Sequence, residues 1–226
     1  MKFTFYGHAC FGIETAGKKL LFDPFITPNE GTKGIVDVDK IEADYILVSH
    51  GHGDHVADLV SIARRTGATV IGAYEVVGWA QKQGVENIRP MNFGSATFDF
   101  GKLHFLPAAH SSSMPDGSYG GNPGGFLVQS SEGNFYYTGD TCVTMDLQLV
   151  PRYAKLDFAI MPVGGNFTMD AEDAAIAAEM VQCNKVIGVH FDTFGLIKID
   201  HDQAKAAFSK NGRELILPQI GQQLDM

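Results

Sequence analysis

Cysteine is scarce in this chain of 226 residues: three residues, Cys10, Cys142 and Cys183, an odd number with no CxxC spacing. That excludes a disulfide framework, a zinc knuckle and a redox pair, and it points to a reducing, cytoplasmic setting. Cations are also short, with 17 Lys and Arg against 26 Asp and Glu, a net charge of −9 and no basic run. Affinity for nucleic acid rests on Lys and Arg neutralising phosphates, so no nucleic-acid partner is expected. No stretch of 18 consecutive apolar residues exists, so no membrane span or membrane partner is expected. The opening MKFTFYGHACFGIET alternates apolar and polar positions, which reads as a first strand and not as a signal peptide.

What is present is a hydrophobic fraction of 45% with 19% charged residues, ample for one sizeable core. A single domain over residues 1–226 is the expectation, made of two similar halves, about 1–110 and 126–226. Joining them is HSSSMPDGSYGGNPGG, residues 110–125, a Gly/Ser/Pro-rich loop that reads equally well as a lid or as a surface crossover. In the first half, apolar patterning predicts strands over 2–6, 10–15, 19–22, 45–48, 69–72, 96–100 and 103–107, with helices over 56–66 and 75–82. In the second it predicts strands over 126–130, 134–137, 157–161 and 185–189, and helices over 171–182 and 201–210. Asp170 stands where a helix N-cap belongs.

The chemistry concentrates in VSHGHGDH, residues 48–55, where His50, His52, Asp54 and His55 fall within six positions at the end of an apolar strand. A shuffled chain of this composition contains HxHxDH with a probability of roughly 7 in 10,000, so a plain polar loop with Asp54 as a helix cap explains it poorly. Imidazole nitrogens and carboxylate oxygens are the usual ligands of zinc and related divalent ions. His50 and His52 can face one ion while Asp54 and His55 turn toward a second. Further ligands should come from other strand ends, and three residues directly follow apolar strands: His110, Asp140 and His190.

These motifs resemble the metallo-β-lactamase superfamily nearly end to end: HGHGDH at 50–55, the later His110, the Asp of YTGD at 137–140 and the His of GVHF at 188–191 occur in the family's order. More narrowly, GHACF at 7–11, LLFDPF at 20–25, GGNFTMD at 164–170 and HFDTF at 190–194 are similar to the small bacterial metal-dependent hydrolases related to the L-ascorbate-6-phosphate lactonase. The resemblance implies an α+β fold, a four-layer αββα sandwich with the site at one edge. It implies two divalent metal ions, zinc or manganese first, iron or nickel as alternatives. His50, His52 and His110 would hold one, Asp54, His55 and His190 the other, and Asp140 would bridge them. Asp23 looks like the family aspartate that braces the metal loop.

On this reading the chain is a metal-dependent hydrolase acting through activated water on a small ester-like substrate, a lactone or a phosphodiester. Asp54 or Asp140 would take or pass the proton. His8, Asn166 and Thr168 are candidate substrate or supporting contacts, and Lys198 is the most obvious cation for an anionic substrate. Cys142, His104 and His201 read as structural. A nuclease or phosphodiesterase, an iron-dependent sulfur dioxygenase and a non-catalytic metal-binding protein are the competing readings. Metal identity and homo-oligomerisation are open at this stage.

Overall fold

The computed structural model describes residues 1–226. Its strands are β1 (Lys2–Gly7), β2 (Cys10–Thr15), β3 (Lys18–Phe22), β4 (Tyr45–Val48), β5 (Thr69–Ala73), β6 (Ile88–Met91), β7 (Gly94–Phe98), β8 (Gly101–Pro107), β9 (Gly124–Ser130), β10 (Gly133–Tyr137), β11 (Phe158–Pro162), β12 (Lys185–Val189), β13 (Glu214–Ile216) and β14 (Gln223–Asp225). The helices are α1 (Gly53–Val56), α2 (Leu59–Thr66), α3 (Tyr74–Lys82), α4 (Val150–Tyr153), α5 (Ala171–Met180) and α6 (His201–Ser209). None is long and apolar enough to cross a membrane.

Two seven-stranded sheets form, in the orders β14-β1-β2-β3-β4-β5-β6 and β13-β12-β11-β10-β9-β8-β7. Each has the same plan: antiparallel hairpins in one half, then parallel strands whose crossovers carry helices. A parallel crossover needs a long connection, which is why α2 and α3 sit between β4, β5 and β6, and α5 and α6 between β11, β12 and β13.

The period of two along each strand decides which layer a side chain enters. Phe126, Val128, Phe135, Tyr137, Phe158, Ile160, Ile187 and Val189 join the core that also contains Phe3, Phe11 and Phe22 of the first sheet. Their neighbours Leu127, Tyr136, Ala159, Met161 and Val186 face the other way, onto Ala174, Ala177 and Ala178 of α5 and Phe208 of α6. The result is the αββα sandwich. Between the sheets the aromatic rings interlock: Phe11 stacks on Phe22 at 4.5 Å and meets Tyr137 edge-on at 5.0 Å. Each such fully buried ring is worth about 1.5–3 kcal/mol of burial.

The division between halves departs from the expected one. The first sheet ends at Met91 and the second begins at Gly94, so the sheets change over near residue 92, and the Gly-rich loop lies inside the second half, between β8 and β9. Strand β7 also ends at Phe98, short of the predicted 100, because Gly101 turns the chain with φ +132°; a Cβ there would lie 2.2 Å from the Gln129 carbonyl oxygen. The loop itself is fastened. Met114 is buried, the Ser112 hydroxyl accepts from the Gly51 amide at 3.1 Å, and the Trp79 indole donates to Asp116 at 2.9 Å.

The predicted helix over 56–66 is two helices. Asp58 interrupts it, and its carboxylate accepts from the Ile26 and Thr27 amides at 2.6 and 2.9 Å, tying the segment after Asp23 to the segment after His55. Asp170 caps α5 as expected, accepting from the amides of Glu172 and Asp173.

Candidate metal centre

Strands of both sheets end at one edge of the sandwich, and the residue that leaves each end carries a functional group. His8 follows β1, Asp23 follows β3, His50 comes two residues after β4, and His190 follows β12. His110 and Asp140 each come three residues after β8 and β10. The carboxyl ends of parallel strands are the usual place for a ligand site, because the chain diverges there and opens a crevice.

Seven of the sequence candidates converge there. The ligand atoms of His50, His52 and His110 lie within 4.8 Å of one another, as do those of Asp54, His55 and His190, with His8 joining the second group. Asp140 stands between the groups: its Oδ2 is 3.0 Å from His190 Nε2, 3.2 Å from His55 Nε2 and 3.8 Å from His110 Nε2. His50 Nε2 lies 2.9 Å from His52 Nδ1.

Asp23 organises this edge from below. Fully buried, its Oδ1 accepts from the Ser49 amide at 2.7 Å. Its Oδ2 accepts from the Ser49 hydroxyl at 2.6 Å, the Tyr137 hydroxyl at 2.7 Å and His55 Nδ1 at 2.8 Å. The Ser49 hydroxyl in turn accepts from His50 Nδ1 at 3.0 Å. Both rings therefore spend Nδ1–H on the framework and turn Nε2 into the crevice, the arrangement by which outer hydrogen bonds orient metal-binding imidazoles.

Backbone strain marks the same residues. His8, Asp23 and His190 have φ of +57°, +42° and +57°, the left-handed region that costs a non-glycine residue roughly 1–2 kcal/mol. Pairing holds them: the His190 amide donates to the His8 carbonyl at 2.8 Å and the Asp23 amide to the Leu47 carbonyl at 3.1 Å. Gly164 packs so closely that a Cβ would lie 2.2 Å from the His190 carbonyl oxygen.

Electrostatics splits the histidines. Burial lowers the pKa of His50, His52 and His110, keeping them neutral. Burial also opposes charge on His55, but Asp140 and Asp23 outweigh it and hold its pKa well above the ordinary value. Asp140 responds in kind: despite burial, His190 and His55 hold it well below the usual carboxylate range. Asp54 is likewise lowered against burial, chiefly by the hydrogen bond from His8, whose Nε2 lies 3.0 Å from Asp54 Oδ2. Burial presses His8 itself down to about 4, and its Nδ1 contacts the Thr193 hydroxyl at 3.0 Å.

The histidine and carboxylate set fits a divalent cation on a structural ground. Asp140 Oδ1 is buried without a hydrogen-bond partner, a costly state unless a cation completes it, and His55 Nε2 has only the 3.2 Å contact with Asp140 Oδ2. The donors, neutral imidazole and ionised carboxylate, suit zinc, manganese, iron or nickel.

Above the cluster opens a pocket of about 670 Å³ walled by His52, Asp54, His110, Asp140 and His190 on one side and by Phe167, Phe194 and Leu196 on the other. Of the expected substrate contacts, Asn166 and Thr168 do not line it. Asn166 is exposed with φ +56°, and the Thr168 hydroxyl bonds to the Met169 carbonyl. The turn they occupy presents Phe167 instead. Lys198 is exposed and lines no part of it. Cys142 is exposed with its thiol on the Val143 carbonyl, His104 contacts Gln129, and His201 pairs with Asp192 at 2.7 Å, all consistent with structural roles. Sequence reasoning missed Ser49, Tyr137 and Thr193, whose only signal is proximity to a strand end, and Asp58, which lies inside the predicted helix.

The class this fold and site define is the β-lactamase superfamily: the family model described as a β-lactamase superfamily domain matches residues 2–190. Within it the chain belongs to the UPF0173 metal-dependent hydrolase family. A member from Flavobacterium johnsoniae is 48% identical over 227 residues, covering 100% of both chains. Among solved structures, a metallo hydrolase from the hyperthermophilic archaeon Ignicoccus hospitalis is similar with a TM-score of 0.88 and 28% identity, covering 99% of this chain and 97% of that one. An isothiocyanate hydrolase from Delia radicum gut bacteria shares the fold, with a TM-score of 0.83 at 18% identity over 100% and 99% of the two chains. The chain is thus a metal-dependent hydrolase whose His/Asp cluster is able to bind metal.

Proposed function

We propose that the protein hydrolyses a small ester-like bond, of lactone or phosphodiester type, with two divalent cations. His50, His52 and His110 would hold one, Asp54, His55 and His190 the other, and Asp140 would serve both. The observation that carries this reading is buried Asp140 at the junction of the two ligand groups: its Oδ1 has no hydrogen-bond partner, and its Oδ2 lies 3.0–3.8 Å from Nε2 of His190, His55 and His110. Zinc or manganese is the first choice of cation for this nitrogen and carboxylate set.

Bound there, divalent cations supply Lewis acidity toward the scissile group and lower the pKa of water toward neutrality. The chain's own residues do the rest. Asp54, ionised and oriented by the His8 bond to its Oδ2, would hold its cation and accept a hydrogen bond from the attacking water, and Asp54 or Asp140 would pass the water's proton to the leaving oxygen. Asp23 and Ser49 fix the rings of His55 and His50, so the ligand atoms are in place before substrate arrives. The partner on this reading is a small-molecule substrate.

The test is to strip the protein of metal, reload it with zinc, manganese, iron or nickel singly, and assay lactones, phosphodiesters, thioesters and persulfides. Hydrolysis of an ester-like member is expected with at least one metal. Asp140→Asn is expected to lose more than the ~10–100-fold typical of an outer partner. Undiminished activity in Asp140→Asn would exclude the shared-ligand role.

A further inference from the structure

The wall of the pocket that faces the histidines is apolar and exposed. Phe167, Phe194 and Leu196 keep 51%, 40% and 68% of their surface accessible, and all three line the same opening. Leaving such groups in water is unfavourable, and a cluster of them beside a reactive centre marks where an apolar ligand part lies. Two of the three are anchored to the fold. Phe194 packs edge-on against His8 at 5.2 Å and lies 6.3 Å from Phe25. Phe167 rides a turn closed by the Gly165 amide on the Met169 carbonyl at 3.0 Å and by the bridge between Gly164 and Asp170.

No Lys or Arg lines this pocket, and its one hydroxyl, on Ser111, lies 3.3 Å from His52 Nε2. A phosphate or carboxylate carried away from the scissile bond would therefore meet no cationic side chain. A polyol would lose its hydration against phenyl rings and a leucine without recovering hydrogen bonds. The net charge of −9 adds a repulsion toward anions.

We infer that the substrate is an uncharged carboxylic ester or lactone bearing an alkyl or aryl substituent, which lies against Phe167, Phe194 and Leu196 while its carbonyl faces the histidines. This rests on the hydrolytic reading above and narrows it, setting aside phosphorylated and sugar-like substrates. In the reaction, the oxygen of water bonds to the carbonyl carbon and the bond from that carbon to the ester oxygen breaks, opening the ring in a lactone and releasing an alcohol from an acyclic ester. One water proton passes to the departing oxygen, and the carboxylic acid formed ionises at neutral pH.

The experiment uses the protein loaded with zinc or, separately, with manganese, and a series of γ-lactones carrying methyl, propyl, pentyl or heptyl chains, beside a γ-lactone carrying a phosphomethyl group. kcat/KM is expected to rise about tenfold for each two methylenes until the wall is covered. The phosphorylated member is expected to fall at least about 100-fold below the neutral lactone of similar size. Phe167→Ala and Phe194→Ala should flatten the chain-length dependence, with melting curves verifying that these exposed positions leave the fold intact. Calorimetry supplies a readout without turnover: the pentyl γ-lactam should bind with a negative heat-capacity change that shrinks in Phe167→Ala. Hydrolysis with a flat series, or preference for the phosphorylated lactone, overturns the inference and leaves the hydrolytic reading standing. Absence of hydrolysis across the whole lactone series, with either metal, overturns the inferred substrate class even if the pentyl γ-lactam binds, and if the panel of phosphodiesters, thioesters and persulfides is also untouched the hydrolytic reading falls with it.

Discussion

Replacing Asp23 by Asn tests whether one buried carboxylate organises the whole edge. Four donors converge on it, from the Ser49 amide, the Ser49 hydroxyl, the Tyr137 hydroxyl and His55 Nδ1, at 2.6–2.8 Å. Asn has the same shape but one acceptor oxygen. The best compromise turns that oxygen toward the three donors on Oδ2 and sets the amide group against the Ser49 N–H, donor against donor. One charged hydrogen bond is lost outright, at about 1.5–3 kcal/mol, and three others fall from charged to neutral strength. The sum is about 3–5 kcal/mol, the range for removing one partner from a buried ionic network. Tyr137→Phe deletes a single donor and should cost about 1–2 kcal/mol. Urea unfolding of metal-free protein reads the stability, and competition with a chromophoric chelator reads zinc affinity, expected to fall ~10–100-fold in Asp23→Asn because His55 and His50 lose their orientation. A stability change below about 0.5 kcal/mol together with unchanged zinc affinity would refute the bracing role.

Metal uptake should release a proton. In the metal-free protein Asp140 and Asp23 overcome burial and raise the pKa of His55, a shift that stabilises the fold at low pH and is lost as pH rises through the folded-state value. A cation needs the neutral ring, so binding at neutral pH displaces that proton and affinity falls with falling pH. Calorimetric titration with zinc in buffers of different ionisation enthalpy should show about one proton released from this site; an enthalpy independent of buffer would contradict the assignment. Separately, Gly164→Ala should cost roughly 1–3 kcal/mol and weaken metal binding, because its Cβ would meet the His190 carbonyl at 2.2 Å and force that residue's backbone to move. Unaltered melting and metal affinity would mean that His190 is not held by this contact.

Much of the site was legible because its residues interrupt apolar strands. His50, His52, Asp54 and His55 cluster within one loop, and His110, Asp140 and His190 each break a hydrophobic run, so their meeting at one edge follows once the strands are laid side by side. Layer assignment was harder. Strands such as FLVQS and FAIMP are apolar on both faces because both are covered, and nothing local says that Phe126 enters the inter-sheet core while Leu127 faces the helices. The edge strand β6 contains Pro90, and β14 finds its partner more than 200 residues away in β1, so neither has a local signature. The changeover between sheets near residue 92 escaped notice because the Gly-rich loop further on is the louder compositional break. Phe167, Phe194 and Leu196 were invisible for a different reason: an apolar residue on a loop reads as core until its exposure is known.

The division of labour between the loops has an evolutionary consequence. The HGHGDH segment hangs from the first sheet, whereas Phe167, Phe194 and Leu196 hang from two turns after β11 and β12 in the second. Selection can rewrite positions 167, 194 and 196, exchanging apolar for polar or basic residues, while His190 at the root of the second turn and the imidazoles of the opposite loop stay in place. One scaffold can thereby diversify what it accepts without reinventing how it cuts.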